Sequence, residues 1–329
     1  MKVEPVEIKW HPDLPIFAKE SFLKAVGNEY GWLGGFTDQG DLRCVLPYTI
    51  IRKATIRLVR FRVEIMPIGA GLGLSEEKEF LNNIINYFKA GNIDMIIPAS
   101  TNTLFRTYPE GSIAAPYGNF IIDLNKPEEE LWNNLNATYR KKIRNSIKNG
   151  VKILDSLDYL ETSHKIISET LKKSSLKFIS YNALLGLIRS FEENVKIFVA
   201  VQNEIIQGCT IFPFSNYAAY SLYGGRIQNA EKGAMNLLNW EAIRQFRNMG
   251  VKRFDFMGVR IDPAKDSKQE GIHTFKQRFG GQLVKGYMWK YPFHRLKYWI
   301  YCTAIRIQRG GDIVDAERGK LDIPDTGHL

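Results

Sequence analysis

Hydrophobic and polar positions change period several times along the 329 residues, and the changes mark the elements. Residues 16–30 carry a helical spacing. "GWLGGFTDQGDLRCVLPYTII" reads as two strands joined at the polar turn "DQGD", and "TIRLVRFRVEIM" continues in strand. "EEKEFLNNIINYFKAG" is an amphipathic helix that Gly91 stops. "IDMIIPAS" and "GNFIIDL" are apolar runs of strand length. "KPEEELWNNLNATYRKKIRNSIKNG" is expected as one long helix, opened by Pro127 and acidic residues and closed by Gly150. Helices fit 158–174 and 180–193, followed by the hairpin "VKIFVAVQNEIIQGCTIFPFS" and a third strand, "YAAYSLYGG". A helix over 232–249, the strand "VKRFDFMG", the short helix "IHTFKQRF", the strand "QLVKGYMWKYP" and a basic aromatic helix over 293–309 complete the pattern. From 310 the chain turns polar, Gly-rich and mostly acidic, the composition of a frayed tail.

The pattern runs through two similar cycles. "GGFTDQGDLRCVLPYT" and "FVAVQNEIIQGCTIFPFS" each combine a hairpin, a cysteine and a proline in the second strand, and in each cycle a later helix leads through a glycine into a strand. The expectation is a mixed α/β chain of two tandem units, residues 1–125 and 126–309, with a tail over 310–329. The order of helices, three meandering strands, helix, strand, helix and strand is similar to the acyltransferase fold of the N-acetyltransferases (GNAT).

Charge sharpens this picture. The formal net charge is +10, which suits an anionic partner or solubility alone. Residues 138–152 hold six Lys/Arg and no acid, and residues 276–309 hold eight Lys/Arg, eight aromatics and no acid. The segment "YMWKYPFHRLKYWIYCTAIRIQR" fits either an interfacial membrane helix or a core-packed closing helix with a basic rim. Three distant cysteines, Cys44, Cys209 and Cys302, suit a reducing compartment, and no Cys/His spacing suits zinc, so no metal is expected. The N-terminus has no apolar run of signal-peptide type, and no stretch reaches the ~18 apolar residues of a membrane span.

Four motifs bear on chemistry. Gly69, Gly71 and Gly73 precede a helix, but Glu76 and Glu77 in its first turn would repel phosphate, which favours a plain loop. At the junction "EKGAMNLL", Gly233 and Ala234 stand where acetyl-coenzyme A enzymes of the fold keep a pyrophosphate-binding run, and Gln228 is too far from Gly233 for that spacing. Arg140, Arg144 and Lys148, four residues apart, share one helix face suited to phosphates or to solvent. Asp255 in "RFDFMGV" is either a buried acid or an outward strand residue.

With these in place, the chain resembles the Fem family (FemABX) of non-ribosomal peptidyltransferases. "YRKKIRNSIKNGVKI" looks like the family's basic helix, "YSLYGGR" with "NLLNWEAIRQFRNMGVKRFDFMGV" like its Tyr-x-Gly-Gly, Trp-Glu, Gly and Asp-Phe-x-Gly series, and "GIHTFKQRFGG" like its Gly-Ile-x-x-Phe-Lys-x-x-Phe-Gly signature. These pieces cover roughly residues 120–285, and no heptad insertion matches the coiled-coil arm of some members.

The resemblance implies an aminoacyltransferase that moves an amino acid from aminoacyl-tRNA to the stem-peptide amine of a peptidoglycan precursor. No cofactor is implied beyond the tRNA co-substrate, and no DNA partner. It places Lys276, with Phe275 beside it, near the transferring carbonyl, Tyr223 and Arg226 along the cleft, and Arg140 and Arg144 on a phosphate-binding helix; Arg278 is a further candidate at substrate, and the base is a substrate carboxylate, water or Asp255. An ammonium fixed at the tetrahedral oxyanion is the chemistry such a step needs. The expected location is cytoplasmic, with peripheral contact at the inner membrane face. Two alternatives stand beside it: an acyl-CoA-dependent acyltransferase of the same fold acting on a cell-surface polysaccharide or sugar lipid, and an RNA-binding module.

Overall fold

The computed structural model describes residues 1–321 except 70 and 175. The first half starts with β1 (Lys2–Val6), a 3-10 turn at Ile16–Ala18 and α1 (Glu20–Val26). The meander β2 (Glu29–Phe36), β3 (Leu42–Lys53) and β4 (Ile56–Phe61) follows, with β5 (Met66–Pro67) beside β3. Helix α2 (Leu74–Ala90) leads to β6 (Met95–Ile96), and β7 (Ile113–Asp123) runs out of this half. The second half comprises α3 (Glu128–Asn134), α4 (Ala137–Lys148), β8 (Lys152–Asp155), α5 (Leu160–Lys172), α6 (Tyr181–Ser190), β9 (Val195–Gln202) and β10 (Ile205–Pro213). Then come β11 (Ala219–Tyr220), β12 (Tyr223–Arg226), α7 (Ala234–Asn248), β13 (Arg253–Val259), α8 (Lys268–Gln277) and β14 (Gln282–Pro292). Helices α9 (Arg295–Arg309) and α10 (Ile313–Glu317) close the described chain.

The two cycles read from the sequence recur in space. In each half a helix connects the last meander strand to a strand parallel to it, β4 to β6 through α2 and β11 to β13 through α7. The halves nevertheless share one sheet of ten strands in the order β1-β2-β3-β4-β6-β14-β7-β13-β11, with β5 off the path. Strand β14 pairs with β7 from Gln282 to Lys290, and its last residues, Tyr291 and Pro292, pair with Ile96 and Met95 of β6. The second sheet runs β12-β10-β9-β8. Strands β11 and β12 are one segment divided between the sheets. The Ser221 amide donates to the Asp255 carbonyl (2.9 Å), while the next amide, Leu222, donates to Ile211 (3.0 Å). The sheets splay apart at that point. An apolar cluster of Phe17, Phe22 and Trp32 with Leu184, Phe191, Tyr220 and Met257 joins the halves beside the splay.

Two expectations fail for identifiable reasons. The long helix over 126–150 is two helices, because Asn136 caps α4, its side chain accepting from the Thr138 amide at 3.0 Å. Leu131, Leu135, Tyr139 and Ile143 keep a four-residue spacing across the break and all face one core, which disguises it. The tail expected from 310 is folded as far as 321, and residues 322–329 lie outside the described residues. Val314 of α10 is fully buried. The acidic residues of this segment meet a buried cation, since the Lys290 ammonium lies 2.9 Å from Asp312 and 2.6 Å from Asp315. Lys290→Met removes one side of a buried ion pair and is expected to lower stability by about 3 kcal/mol. Urea unfolding checks this, and a loss below about 1 kcal/mol would show that the pair does not hold the segment.

Candidate active site

The site is organised by an irregularity in β13. Its pairing with β7 slips between Asp255 and Gly258, and Met257 adopts φ +62°, a left-handed conformation that non-glycine residues rarely take. The bulge turns Asp255 inward, leaving it 4% exposed. Asp255 Oδ1 accepts from the Met257 amide (2.6 Å) and Oδ2 from Asn119 Nδ2 (3.2 Å). Sequence alternation left its orientation open, and the structure makes it a buried acid. Gly258 is required because a Cβ there would stand 2.2 Å from Tyr117 Oη.

The same bulge aims the carbonyls of Met257 and Gly258 at α8. Both accept from the Lys276 ammonium, at 3.0 and 2.7 Å. An ammonium has three protons, so one is left over. Burial pulls the Lys276 pKa down to about 8, against the opposing pull of Asp255. Burial lifts Asp255 to about 7, and Glu64 adds to the rise, while the Met257 amide, Lys276 and Asn119 oppose it. Helix α8 is fixed at its start by Ser267, which accepts from the Glu270 amide, and at its end by aromatic packing. Phe275 and Phe279 have centroids 5.2 Å apart, and Phe279 lies 5.1 Å from both Phe256 and Tyr139. Phe275, expected beside the reacting carbonyl, packs against Tyr139, Phe256 and Phe279 and serves as an anchor.

Two spaces flank the bulge. A pocket of about 180 Å³ is lined by Glu64, Asn102, Asn119, Tyr217, Arg253 and Asp255, among others. Within it Tyr217 donates to Glu64 (2.5 Å) and Arg253 to Tyr217 (3.0 Å). Asn119 is buried, and its Oδ1 has no hydrogen-bond partner among the described residues. On the other side a cleft of about 660 Å³ between the halves is lined by Arg60, Arg62, Asn102, Leu222, Tyr223 and Met257, among others. Arg62 is 7% exposed. It donates to Thr49 Oγ1 (3.0 Å) and the Val26 carbonyl (2.9 Å), and no carboxylate among the described residues pairs with it. Burial, with the Arg60 charge second, draws its pKa down to about 9. Hydrogen bonds connect the spaces: Asn102 donates to the Arg62 carbonyl (2.8 Å), and Asn119 donates to the Asn102 carbonyl (3.1 Å) and to Asp255.

Of the residues expected at substrate, Tyr223 lines the cleft. Arg226 is exposed at the other end of β12, and Arg278 is exposed at the end of α8. Arg140 stands near the start of α4, close to the end of α3. Its Nη1 donates to the carbonyls of Trp132, Asn133 and Leu135 and so closes the C-terminus of α3. Arg144 is exposed and stacks on Trp132 at 5.5 Å. Glu64, Asn119, Arg60 and Arg62 escaped the sequence reading. Its only available signal was the alternation of "RFR", which puts Arg60 and Arg62 on the face opposite Phe61.

Neither helix start that the motifs singled out is open. Gly73 donates its amide to Glu76 Oε2 (2.7 Å) at the head of α2, so the glycine loop there is a capped turn. Gly233, at φ +100°, heads α7, and a Cβ on it would lie 2.7 Å from the Lys142 carbonyl and from Ser146 Oγ. Helix α4 therefore sits directly over the amide end of α7.

This arrangement, two splayed sheets with a cleft between the halves, is the mixed α/β class expected from the order of elements. Residues 202–306 match the model of the FemAB family, a stretch that holds the splay, α7, α8 and the run "GIHTFKQRFGG". The solved structure of FemX is similar, with TM-score 0.67 and 14% identity over 90% of this chain and 99% of that one. A C-terminal DUF2156 domain from Agrobacterium fabrum (TM-score 0.52, 11% identity, 85% and 91% covered) shares the fold. So does a conserved protein of unknown function from Bacteroides thetaiotaomicron (TM-score 0.51, 11% identity, 84% and 90% covered).

Proposed function

We propose that the protein transfers an aminoacyl group from aminoacyl-tRNA to the stem-peptide amine of an anionic peptidoglycan precursor, at the bulge between the acidic pocket and the arginine cleft. The observation that carries this reading is Arg62, a buried cation without a carboxylate on the wall of the cleft. A desolvated charge of that kind is costly unless a ligand anion meets it. The acceptor's phosphates or carboxylates suit Arg60 and Arg62. Its amine suits the acidic pocket, where Asp255 and the unpartnered Asn119 Oδ1 supply acceptors.

The step balances with these groups and solvent. The acceptor amine reacts as the free base, its ammonium proton having passed to solvent, and as it adds to the ester carbonyl Asp255 takes one of its N–H protons. The remaining Lys276 proton donates to the oxyanion. Collapse forms the amide and breaks the ester C–O bond, and the leaving ribose oxygen takes the proton from Asp255. The covered amide end of α7 supports an aminoacyl-tRNA donor over an acyl-CoA, whose pyrophosphate would need those amides.

Radiolabelled Gly-, Ala- and Ser-tRNA, each offered with nucleotide-linked and lipid-linked precursors, test the reading. Labelled precursor is the expected product. Transfer from acyl-CoA with none from any aminoacyl-tRNA would replace the reading with the thioester alternative. The pH profile of kcat is expected to rise near pH 7 as Asp255 ionises and to fall near pH 8 as Lys276 loses its proton. Asp255→Asn should abolish the rising limb, and a rising limb unchanged in that variant would exclude Asp255 as base.

A further inference from the structure

Helix α9 turns one face to the protein and another to solvent. Tyr298 and Tyr301 pack on Leu58, Met95 and Ile97, and Ile305 is buried. The outward face is apolar. Leu296 is 62% exposed, Trp299 65%, Ile300 47% and Ile307 81%. At about 100° per residue these four, with Thr303, fall within an arc of about 100°. The arc runs from residue 296 to 307, about 16 Å of helix. Scattered single exposed apolar residues need no explanation, but a continuous stripe does.

The charges around the stripe identify its occupant. Helix α9 contains no Asp or Glu. Arg295 and Arg306 are exposed on the flank next to Trp299, and neither pairs with a carboxylate among the described residues. On the other flank Lys297 bonds the Thr55 carbonyl (3.1 Å), which brings the β3–β4 turn and its exposed Lys53 alongside the helix. Lys297 itself is neutralised by Asp94 (2.8 Å). An apolar stripe with an indole at its border and unpaired cations beside it suits an interfacial helix. The apolar groups enter the acyl boundary while the cations meet lipid phosphates.

We infer that α9 is a docking surface for an anionic phospholipid bilayer, with Leu296, Trp299, Ile300 and Ile307 entering the membrane and Arg295, Arg306 and Lys53 meeting its headgroups. Among the described residues no helix is long and apolar enough to cross a membrane, so the contact is peripheral. Of the two roles open to this segment, the helix fills both: its inner face closes the core, and its outer face is free for lipid.

The experiment is co-sedimentation of the full chain with vesicles of phosphatidylcholine alone and of phosphatidylcholine with about 30% phosphatidylglycerol. Wild-type protein should pellet with the anionic vesicles and release them as salt rises. Ile300→Glu/Ile307→Glu and, separately, Arg295→Gln/Arg306→Gln should each weaken binding about ten-fold or more. The substituted positions are exposed, so folding is preserved, and circular dichroism verifies it. Wild-type binding no stronger to anionic than to neutral vesicles overturns the inference, as does undiminished binding of the double-glutamate variant. A concentration-dependent dimer that the glutamates dissolve, with no vesicle binding, would assign the stripe to a second copy instead. No transfer reaction is measured, so the outcome is separate from that of the proposed function.

Discussion

Lys276→Ala is expected to fold and to lose about 10²–10³-fold in kcat, with KM for both substrates changed by less than about three-fold. The direction follows from where the ammonium stands. It is held by two carbonyls of the bulge, keeps one proton unengaged, and sits in surroundings that pull its pKa to about 8. A donor fixed before reaction interacts more strongly with a developing oxyanion than with the ground-state ester, so its loss falls on kcat. Lys276 could instead matter only by bracing the bulge, and the pH profile separates the two roles. Loss of a donor removes the descending limb near pH 8 together with the activity. Loss of a brace lowers activity and leaves that limb in place. Arginine at 276 should recover little, because a planar fork cannot replace a compact ammonium between two carbonyls 2.7 and 3.0 Å away. A folded Lys276→Ala protein with wild-type kcat would remove the residue from the mechanism.

Local features were legible in the sequence because local spacing encodes them. The hairpins of β2–β3 and β9–β10, the amphipathic α2, and the glycine and phenylalanines around α8 fall where period and turn residues put them. What binds the halves together was not. The pairing of β14 with β7 and β6 joins residues more than 150 apart in sequence, and nothing in either strand names its partner. The bulge in β13 was equally hidden. Met257 takes a positive φ although methionine gives no turn signal, and the slip sends Asp255 to the interior where strict alternation was indifferent. The contacts of Arg140 were hidden for another reason, since a basic helix face looks the same in sequence whether or not one of its guanidinium nitrogens closes the preceding helix.

Arg62→Met should raise KM for the acceptor about 10- to 100-fold while leaving the folded state as stable as wild type or more so. The two effects have one origin. Arg62 is buried with a neutral hydroxyl and a backbone carbonyl as partners, and Arg60 beside it adds repulsion. Burying a charge without a counter-ion is unfavourable, so a methionine of similar volume removes that cost at the loss of two modest hydrogen bonds. The anion that would compensate Arg62 in the complex is then left facing a thioether, and a lost charged hydrogen bond of about 1.5–3 kcal/mol corresponds to the stated change in KM. Lysine at 62 should retain much of the affinity, since charge and not fork geometry is what the cleft lacks. Thermal unfolding of Arg62→Met without and with saturating precursor reads both effects together. The variant should start level with or above wild type and gain less on adding precursor. A variant that starts more than about 1 kcal/mol lower and still gains the full increment would make Arg62 a structural residue and move the acceptor's anion elsewhere in the cleft.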